Sequence, residues 1–286
     1  MALERTFTRT EVLERLRKTI ASGSPIIGCG ASSGIIAKSA EVGGADLLIV
    51  YSTGRSRMMG LPTTSIGHAN LVTLDMFDEV ANVVNDTPII GGAEGVDPTF
   101  MSLKRLINAF RDKGFCGLIN FPTIGLMPER GKMREDAGLG FPREVEMVKL
   151  AREMDFFTMA YVFDPDQSRA MSAAGVDVLV PHVGWTVGGM VGRSRETAPS
   201  FDRAAEAVQT MIDACHAENP DVICLAHGGP YAAPEDTVRL YEDTGAVGFV
   251  GASSIERIPV ERAVRDAVAS FKAIPVKGKK DERRQA

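Results

Sequence analysis

The segment GCGASSGIIAKSAEVGGADLLIVY (Gly28–Tyr51) reads as a strand, a glycine-rich turn, a helix and a second strand, and that pattern opens two different folds. In an open doubly wound sheet, the turn would hold a dinucleotide phosphate at the helix N-terminus. In a closed barrel, it would be the first of many βα units. Three features favour the barrel. The glycines fall at Gly28, Gly30 and Gly34, with none following just after Ile35, so the spacing departs from the dinucleotide fingerprint. No tyrosine is followed four residues later by lysine, so the proton-relay pair of such dehydrogenases is missing. The unit also recurs too often for an open sheet.

Eight short apolar runs punctuate the chain: PIIGCG (25–30), DLLIVYS (46–52), PIIGGAE (88–94), GLINFP (117–122), FFTMAYVF (156–163), VDVLVPHV (176–183), VICLAHGG (222–229) and AVGFVGAS (246–253). Nearly continuous apolar strands belong to parallel sheets covered on both faces. Amphipathic helical patterns fill the gaps. Leu71, Leu74, Phe77, Val80, Val83 and Val84 share one stripe, as do Phe100, Leu103, Leu106, Ile107 and Phe110. Gly114, Gly175 and Gly245 stand where helices stop, and Pro142, Pro165, Pro234 and Pro259 stand near helix starts. These signals predict an α/β fold: a single (β/α)8 TIM barrel over residues 1–275. An extra N-terminal helix at 10–22 would cap it, and a charged, disordered tail at 276–286 would follow.

Composition narrows the function. Formal net charge is −5 with no basic face, which argues against nucleic acid. No apolar run is long enough to span a membrane, and the N-terminus lacks the apolar core of a signal peptide. Cys29, Cys116, Cys215 and Cys224 form no C-x-x-C pair, so reduced thiols and a cytoplasmic location are expected. No lysine ends a strand, which disfavours Schiff-base chemistry; neither nicotinamide nor pyridoxal phosphate is expected.

In a TIM barrel, chemistry collects at the C-terminal ends of the strands. Those ends supply Cys29 and Ser32, then Tyr51, Ser52 and Arg55, then Glu94, Asn120, Asp164, His182, His227, and finally Ser253, Ser254 and Glu256. Two of the four histidines thus end adjacent strands. Glu94, His182 and His227 are the candidate catalytic residues. They could act as acid and base, or as ligands of a divalent metal such as magnesium or zinc, or the histidines could be ordinary core residues. LAHGGPY and FVGASSIER place Gly228, Gly229, Ser253 and Ser254 where barrels hold phosphate or carboxylate, with Ser253 or Ser254 as a helix N-cap. Arg55, Arg57, Arg193 and Arg195 are loop guanidinium groups that could clamp an anion.

Several longer segments carry a resemblance. GGADLLIVYSTGRSRMMGLPTTSIGHANLVTLDMFDEVANVV (Gly43–Val84) is similar to the phosphoenolpyruvate mutase/isocitrate lyase superfamily. INFPTIGLMPERGKMREDAGLGF, VPHVGWTVGG, LAHGGP and GASSIERIPVE more closely resemble the phosphoenolpyruvate hydrolase-like TIM-barrel family, with the match covering most of residues 20–265. The resemblance implies a hydrolase or lyase, of phosphonopyruvate hydrolase type, that acts at a C–C or P–C bond of a small anionic 2-oxo or phospho acid, and it implies a homo-oligomer. By that resemblance Ser52 and Gly54 would bind substrate carboxylate; Cys29, Ser32, Arg55 and Asn120, from the strand-end set, are further substrate-binding candidates. The superfamily's Mg²⁺ would be held by an acidic pair, but that pair falls here on Gly92 and Glu94, and the fourth-strand acid falls near Asn120. The missing acids, and the occurrence of such a barrel within a plant antiviral resistance protein, leave an alternative: a non-catalytic small-ligand sensor or interaction module.

Overall fold

The computed structural model describes residues 6–276; apart from Val276, the expected tail at 276–286 lies outside the described residues. The strands are β1 (Ile26–Gly30), β2 (Leu47–Val50), β3 (Ile89–Gly92), β4 (Gly117–Ile119), β5 (Phe157–Val162), β6 (Val178–Pro181), β7 (Ile223–Cys224), β8 (Ala226–His227) and β9 (Gly248–Gly251). All pair in parallel, in the order β7-β6-β5-β4-β3-β2-β1-β9-β8. The seventh apolar run supplies both β7 and β8. Its first half pairs with β6 and its second half with β9, and a bridge between His182 and His227 joins the two edges. The eight runs therefore make eight staves of a nearly closed barrel, with one stave interrupted at Leu225.

The helices are α1 (Arg9–Ala21), α2 (Gly34–Val42), α3 (Ser52–Met58), α4 (Ala69–Ala81), α5 (Leu103–Lys113), α6 (Pro128–Glu135), α7 (Phe141–Glu153), α8 (Pro165–Ala173), α9 (Phe201–Glu218), α10 (Asp236–Asp243) and α11 (Ile258–Ala273). Among the described residues no helix is long and apolar enough to cross a membrane. α1 starts at a capping box: Thr8 accepts from the Glu11 N–H, and the Glu11 carboxylate accepts from the Thr8 N–H at 2.8 Å. Its Val12, Leu13 and Leu16 pack into the same cluster as the inward residues of the strands, so α1 plugs the barrel's lower end.

Strand alternation decides which side chains reach the interior. Leu47, Ile49 and Tyr51 point inward from β2 and its end, as do Ile119 and Phe121, Phe157, Met159 and Tyr161, and Val178 and Val180. The alternate residues, including Cys29, Leu48, Val50 and Leu118, pack outward against helices. Fully burying each large apolar side chain contributes about 1.5–3 kcal/mol. The same alternation selects the residues at the mouth, two positions above the last core layer.

Candidate functional site

Above the core layer lies a connected set of rings. Tyr51 and Phe121 meet edge-on at 5.2 Å, and Phe121 and Tyr161 at 5.5 Å. Tyr161 lies 5.3 Å from the His182 ring and 5.1 Å from the His227 ring, and the two imidazoles are 4.6 Å apart. The Tyr51 and Tyr161 hydroxyls are hydrogen-bonded at 2.7 Å. These rings floor a cavity of about 210 Å³, which Arg57, Arg193, Arg257, Trp185, Thr186 and Ser253 help to wall.

The partners of the histidines fix their tautomers. His182 Nδ1 accepts from the Gly184 N–H at 3.1 Å, so a neutral ring carries its proton on Nε2. His227 Nδ1 lies 2.6 Å from the Val250 carbonyl, which can only accept, so Nδ1 is protonated and Nε2 has the lone pair. Both rings are held neutral. Burial, then the neighbouring His227, pushes His182 well below 6.5, and burial pushes His227 down to about 4. The cavity floor thus holds one Nε2–H donor and one Nε2 acceptor side by side.

The cations are partly compensated. Arg57 forms a buried ion pair with Glu256, whose Oε1 is met by both its Nε and its Nη2. Glu256 also accepts from the Ser32 N–H at 3.0 Å and from the Ser32 hydroxyl at 2.5 Å. Arg257 is 2.7 Å from Glu261 and donates to the Gly188 carbonyl at 3.0 Å. Arg193 is exposed at the rim and has no ion pair among the described residues. Removing one partner of the buried Arg57–Glu256 pair would cost about 3–5 kcal/mol.

Glu94 lies elsewhere. Its backbone is held by Asn70, which donates to the Glu94 carbonyl at 3.2 Å and accepts from its N–H at 2.8 Å. The residue lines a second cavity of about 380 Å³ with Arg134, Thr53, Thr64 and Thr123. Burial, then the charge of Asp97, raises its pKa, against the opposing pull of Arg134. The two cavities adjoin and share Thr63, Phe121 and Trp185, so the mouth has a histidine lobe and a Glu94 lobe. The sequence offered Glu94, His182 and His227 as acid–base residues or, alternatively, as metal ligands; among the described residues no three His, Cys, Asp or Glu side chains lie close enough to hold a metal ion.

The other candidates separate by strand parity. Ser253 lines the histidine lobe. Cys29 faces the helix layer and a different cavity, and burial pushes its thiol up to about 12. Ser32 is occupied by Glu256, and a Cβ on Gly54 would sit 1.8 Å from the Ser32 hydroxyl, so Gly54 is small to make room for that contact. Ser52 is buried at the first position of α3, and its N–H donates to the Thr73 hydroxyl. Arg55 turns outward to Asp75 at 3.3 Å, and Arg57, two residues on, reaches the cavity instead.

Asn120 also points out of the barrel. It donates to Glu144 at 2.6 Å and to the Tyr161 carbonyl at 3.1 Å, and accepts from the Tyr161 N–H at 2.7 Å. Gly228 and Gly229 have positive φ values of 83° and 59°, and the Gly229 N–H is taken by the Gly184 carbonyl at 2.8 Å. Their close approach to Val183–Gly184 joins two loops and presents no free N–H at Gly229. Ser253 and Ser254 do not cap a helix; Ala252 takes that place, ahead of a five-residue π-helical turn at Ser253–Arg257.

Sequence inspection overlooked Tyr161 and Glu144. Counting two positions up from Met159 would have found Tyr161. Glu144 had no such signal, because it comes from α7. It accepts from Asn120 at 2.6 Å, the Thr123 hydroxyl at 2.7 Å and the Ile124 N–H at 2.8 Å. Those donors favour the carboxylate, but full burial dominates and raises its pKa to about 7.

The geometry also tests the metal expected from the resemblance. At Gly92, a Cβ would lie 2.7 Å from the Phe121 carbonyl oxygen and 2.9 Å from the Tyr51 ring. Tyr51 fills the space an acid would need there, Asn120 faces away, and Glu256 is committed to Arg57 and Ser32. These residues do not fit a cation held by acids at the ends of β3 and β4.

Comparison with known proteins places this site in context. The ToMV resistance protein Tm-1(GCR237) of Solanum lycopersicum is 40% identical over 272 residues, which cover 93% of this chain and 36% of that protein. The putative transcriptional regulatory protein y4pA of Sinorhizobium fredii is 31% identical over 274 residues, 93% of this chain and 44% of that protein. This chain therefore spans well under half the length of either relative. Among solved structures, 2,3-dimethylmalate lyase superposes with a TM-score of 0.60 at 16% identity, covering 97% of this chain and 92% of that one. Phosphonopyruvate hydrolase in complex with oxalate and Mg++ superposes with a TM-score of 0.57 at 16% identity, covering 93% and 92%. At such identity these structures show a common fold. A family model described as phosphoenolpyruvate hydrolase-like matches residues 11–274, and the chain belongs to that family.

Proposed function

We propose that the chain is an enzyme that binds a small anionic 2-oxo or phospho acid in the histidine lobe and cleaves it by hydrolysis or lyase chemistry. The observation that carries this reading is the His182–His227 pair. The two rings offer opposite protonation at Nε2, 4.6 Å apart, on the floor of an arginine-walled cavity. In hydrolysis, His227 Nε2 would take a proton from the attacking water and then pass it to the leaving group, while His182 Nε2–H donates a hydrogen bond to the substrate oxygen and keeps its proton. A bound anion beside the rings raises their proton affinity towards neutrality, where this exchange is effective.

The family and the superposed phosphonopyruvate hydrolase and 2,3-dimethylmalate lyase support the substrate class and the two reaction types. Screening 2-oxo and phospho acids for turnover tests the proposal. His182→Gln and His227→Gln should each abolish a detected activity while leaving the fold intact. Full activity in both variants would refute the acid–base assignment.

A second reading is a ligand sensor. The similarity to a viral resistance protein, of which this chain matches only 36%, favours a barrel that binds and signals. Binding without turnover across the same panel would select it.

A further inference from the structure

We propose that the histidine lobe grips a dianion directly, through protein hydrogen-bond donors, without a bridging metal ion. This rests on the reading of the lobe as a site for oxo or phospho acids. Apart from the lone pair of His227 Nε2, the polar groups of the floor are donors. Two tyrosine hydroxyls own two protons, and their mutual bond uses one. The second proton has no acceptor among the described residues, and both rings line the cavity. The Arg57 guanidinium lines the same cavity, although Glu256 shares its charge. His182 adds its Nε2–H.

Charge gives the same sign. Arg57, Arg193 and Arg257 bring three cations, Glu256 and Glu261 offset two, and the histidines are neutral. The lobe therefore keeps an excess positive charge, carried at the rim by Arg193. A metal cation would meet guanidinium groups and hydroxyl protons there, with His227 Nε2 as the available imidazole lone pair. A carboxylate or phosphoryl group would meet donors on several sides. The ring of Tyr51 provides the contact at the place where Gly92 removes the acid. With glycine at 92 and the Tyr51 ring beside it, this part of the floor offers a hydroxyl in place of a carboxylate.

The test is calorimetric titration of the full chain with oxalate, phosphonopyruvate and inorganic phosphate, in EDTA and then in Mg²⁺. Binding of equal strength in both conditions is expected. Tyr51→Phe and Tyr161→Phe should weaken it about tenfold, because each deletes one hydroxyl and leaves the ring stack in place. Thermal unfolding of the variants reports whether they remain folded. Binding that appears only with Mg²⁺ would overturn the metal-free grip while leaving the substrate reading intact. Metal-free binding that neither tyrosine variant changes would place the anion elsewhere and overturn it as well. No binding of any probe in either condition would remove both this inference and the substrate reading.

Discussion

The Tyr51 ring lies so close to Gly92 that a Cβ added at residue 92 would sit 2.9 Å from its Cδ1 carbon. The glycine and the tyrosine are one feature: the ring occupies the volume that an acidic side chain at the end of β3 would fill. The Phe121 carbonyl oxygen, 2.7 Å from the same point, closes the other side.

Restoring the acid is therefore expected to fail. Gly92→Asp overpacks a well-filled layer and should cost about 1–3 kcal/mol. Urea unfolding should show that loss, and calorimetry should show no Mg²⁺ site. A variant of wild-type stability that binds Mg²⁺ would show that the ring moves aside easily.

The histidines make stability depend on acid. His227 has a folded pKa near 4 against 6.5 when free, and His182 is lowered too, so the unfolded chain binds more protons between those values. Their contribution is complete above pH 6.5 and is lost as pH falls towards 4. The slope is about 1.4 kcal/mol per pH unit for each ring. The double variant His182→Gln/His227→Gln should lose this slope in urea melts at pH 5 and pH 7.5. An unchanged slope would mean that the rings are not held neutral.

Glu144 works in the opposite direction. Its folded pKa, near 7, exceeds its free value of 4.5, so its contribution is present below pH 4.5 and is lost as pH rises through 7. Glu144→Gln gives up good acceptors for Asn120, Thr123 and Ile124 and should cost about 1–3 kcal/mol at pH 5. That deficit should shrink as pH rises to 7.5, because the wild type then carries a buried charge. A deficit that stays constant between the two pH values would contradict the raised pKa.

Trp185, the sole tryptophan, borders both lobes and meets His182 edge-on at 6.4 Å. Its emission should change when an anion fills the histidine lobe, and should be quenched as His182 is protonated in acid. Titration of fluorescence with oxalate at pH 7.5 checks the first effect. A silent tryptophan alongside calorimetric binding would place the ligand away from this wall.

The barrel was legible because its signal is repetitive: each strand is a short apolar run, and glycine and proline mark the helix ends. The interruption at Leu225 was invisible, since residues 222–229 form one unbroken apolar run and the switch of pairing partner is tertiary. The mouth was legible only in part. His182 and His227 end their strands and point inward, as expected. Cys29 and Asn120 are one residue out of phase, and in a strand that turns a side chain to the opposite face. Arg55 and Arg57 could not be told apart because the short helix α3 after β2 was not evident. Glu144 meets Asn120 and the loop after β4 from a helix, behind the barrel wall, so no strand-end rule could find it.

The last helix carries a prediction about assembly. Val260, Val264, Val268 and Phe271 recur on one side of α11 and are all exposed, Phe271 by 77%. Beyond Ile258 no residue of α11 is buried, so the helix stands off its own barrel with an apolar stripe uncovered. Beside it, Ile27, Ile36, Ala40, Ala45 and Ile255 line an apolar groove of about 320 Å³ on the outer face of β1 and α2. An uncovered stripe and an uncovered groove on one chain can satisfy each other between two copies, and a closed, two-fold arrangement buries both twice. The expected homo-oligomer should therefore form through α11. Light scattering after gel filtration should show more than one chain in the wild type and a monomer for Val264→Asp/Phe271→Asp. A wild-type monomer, or an assembly untouched by both aspartates, would remove α11 from the interface.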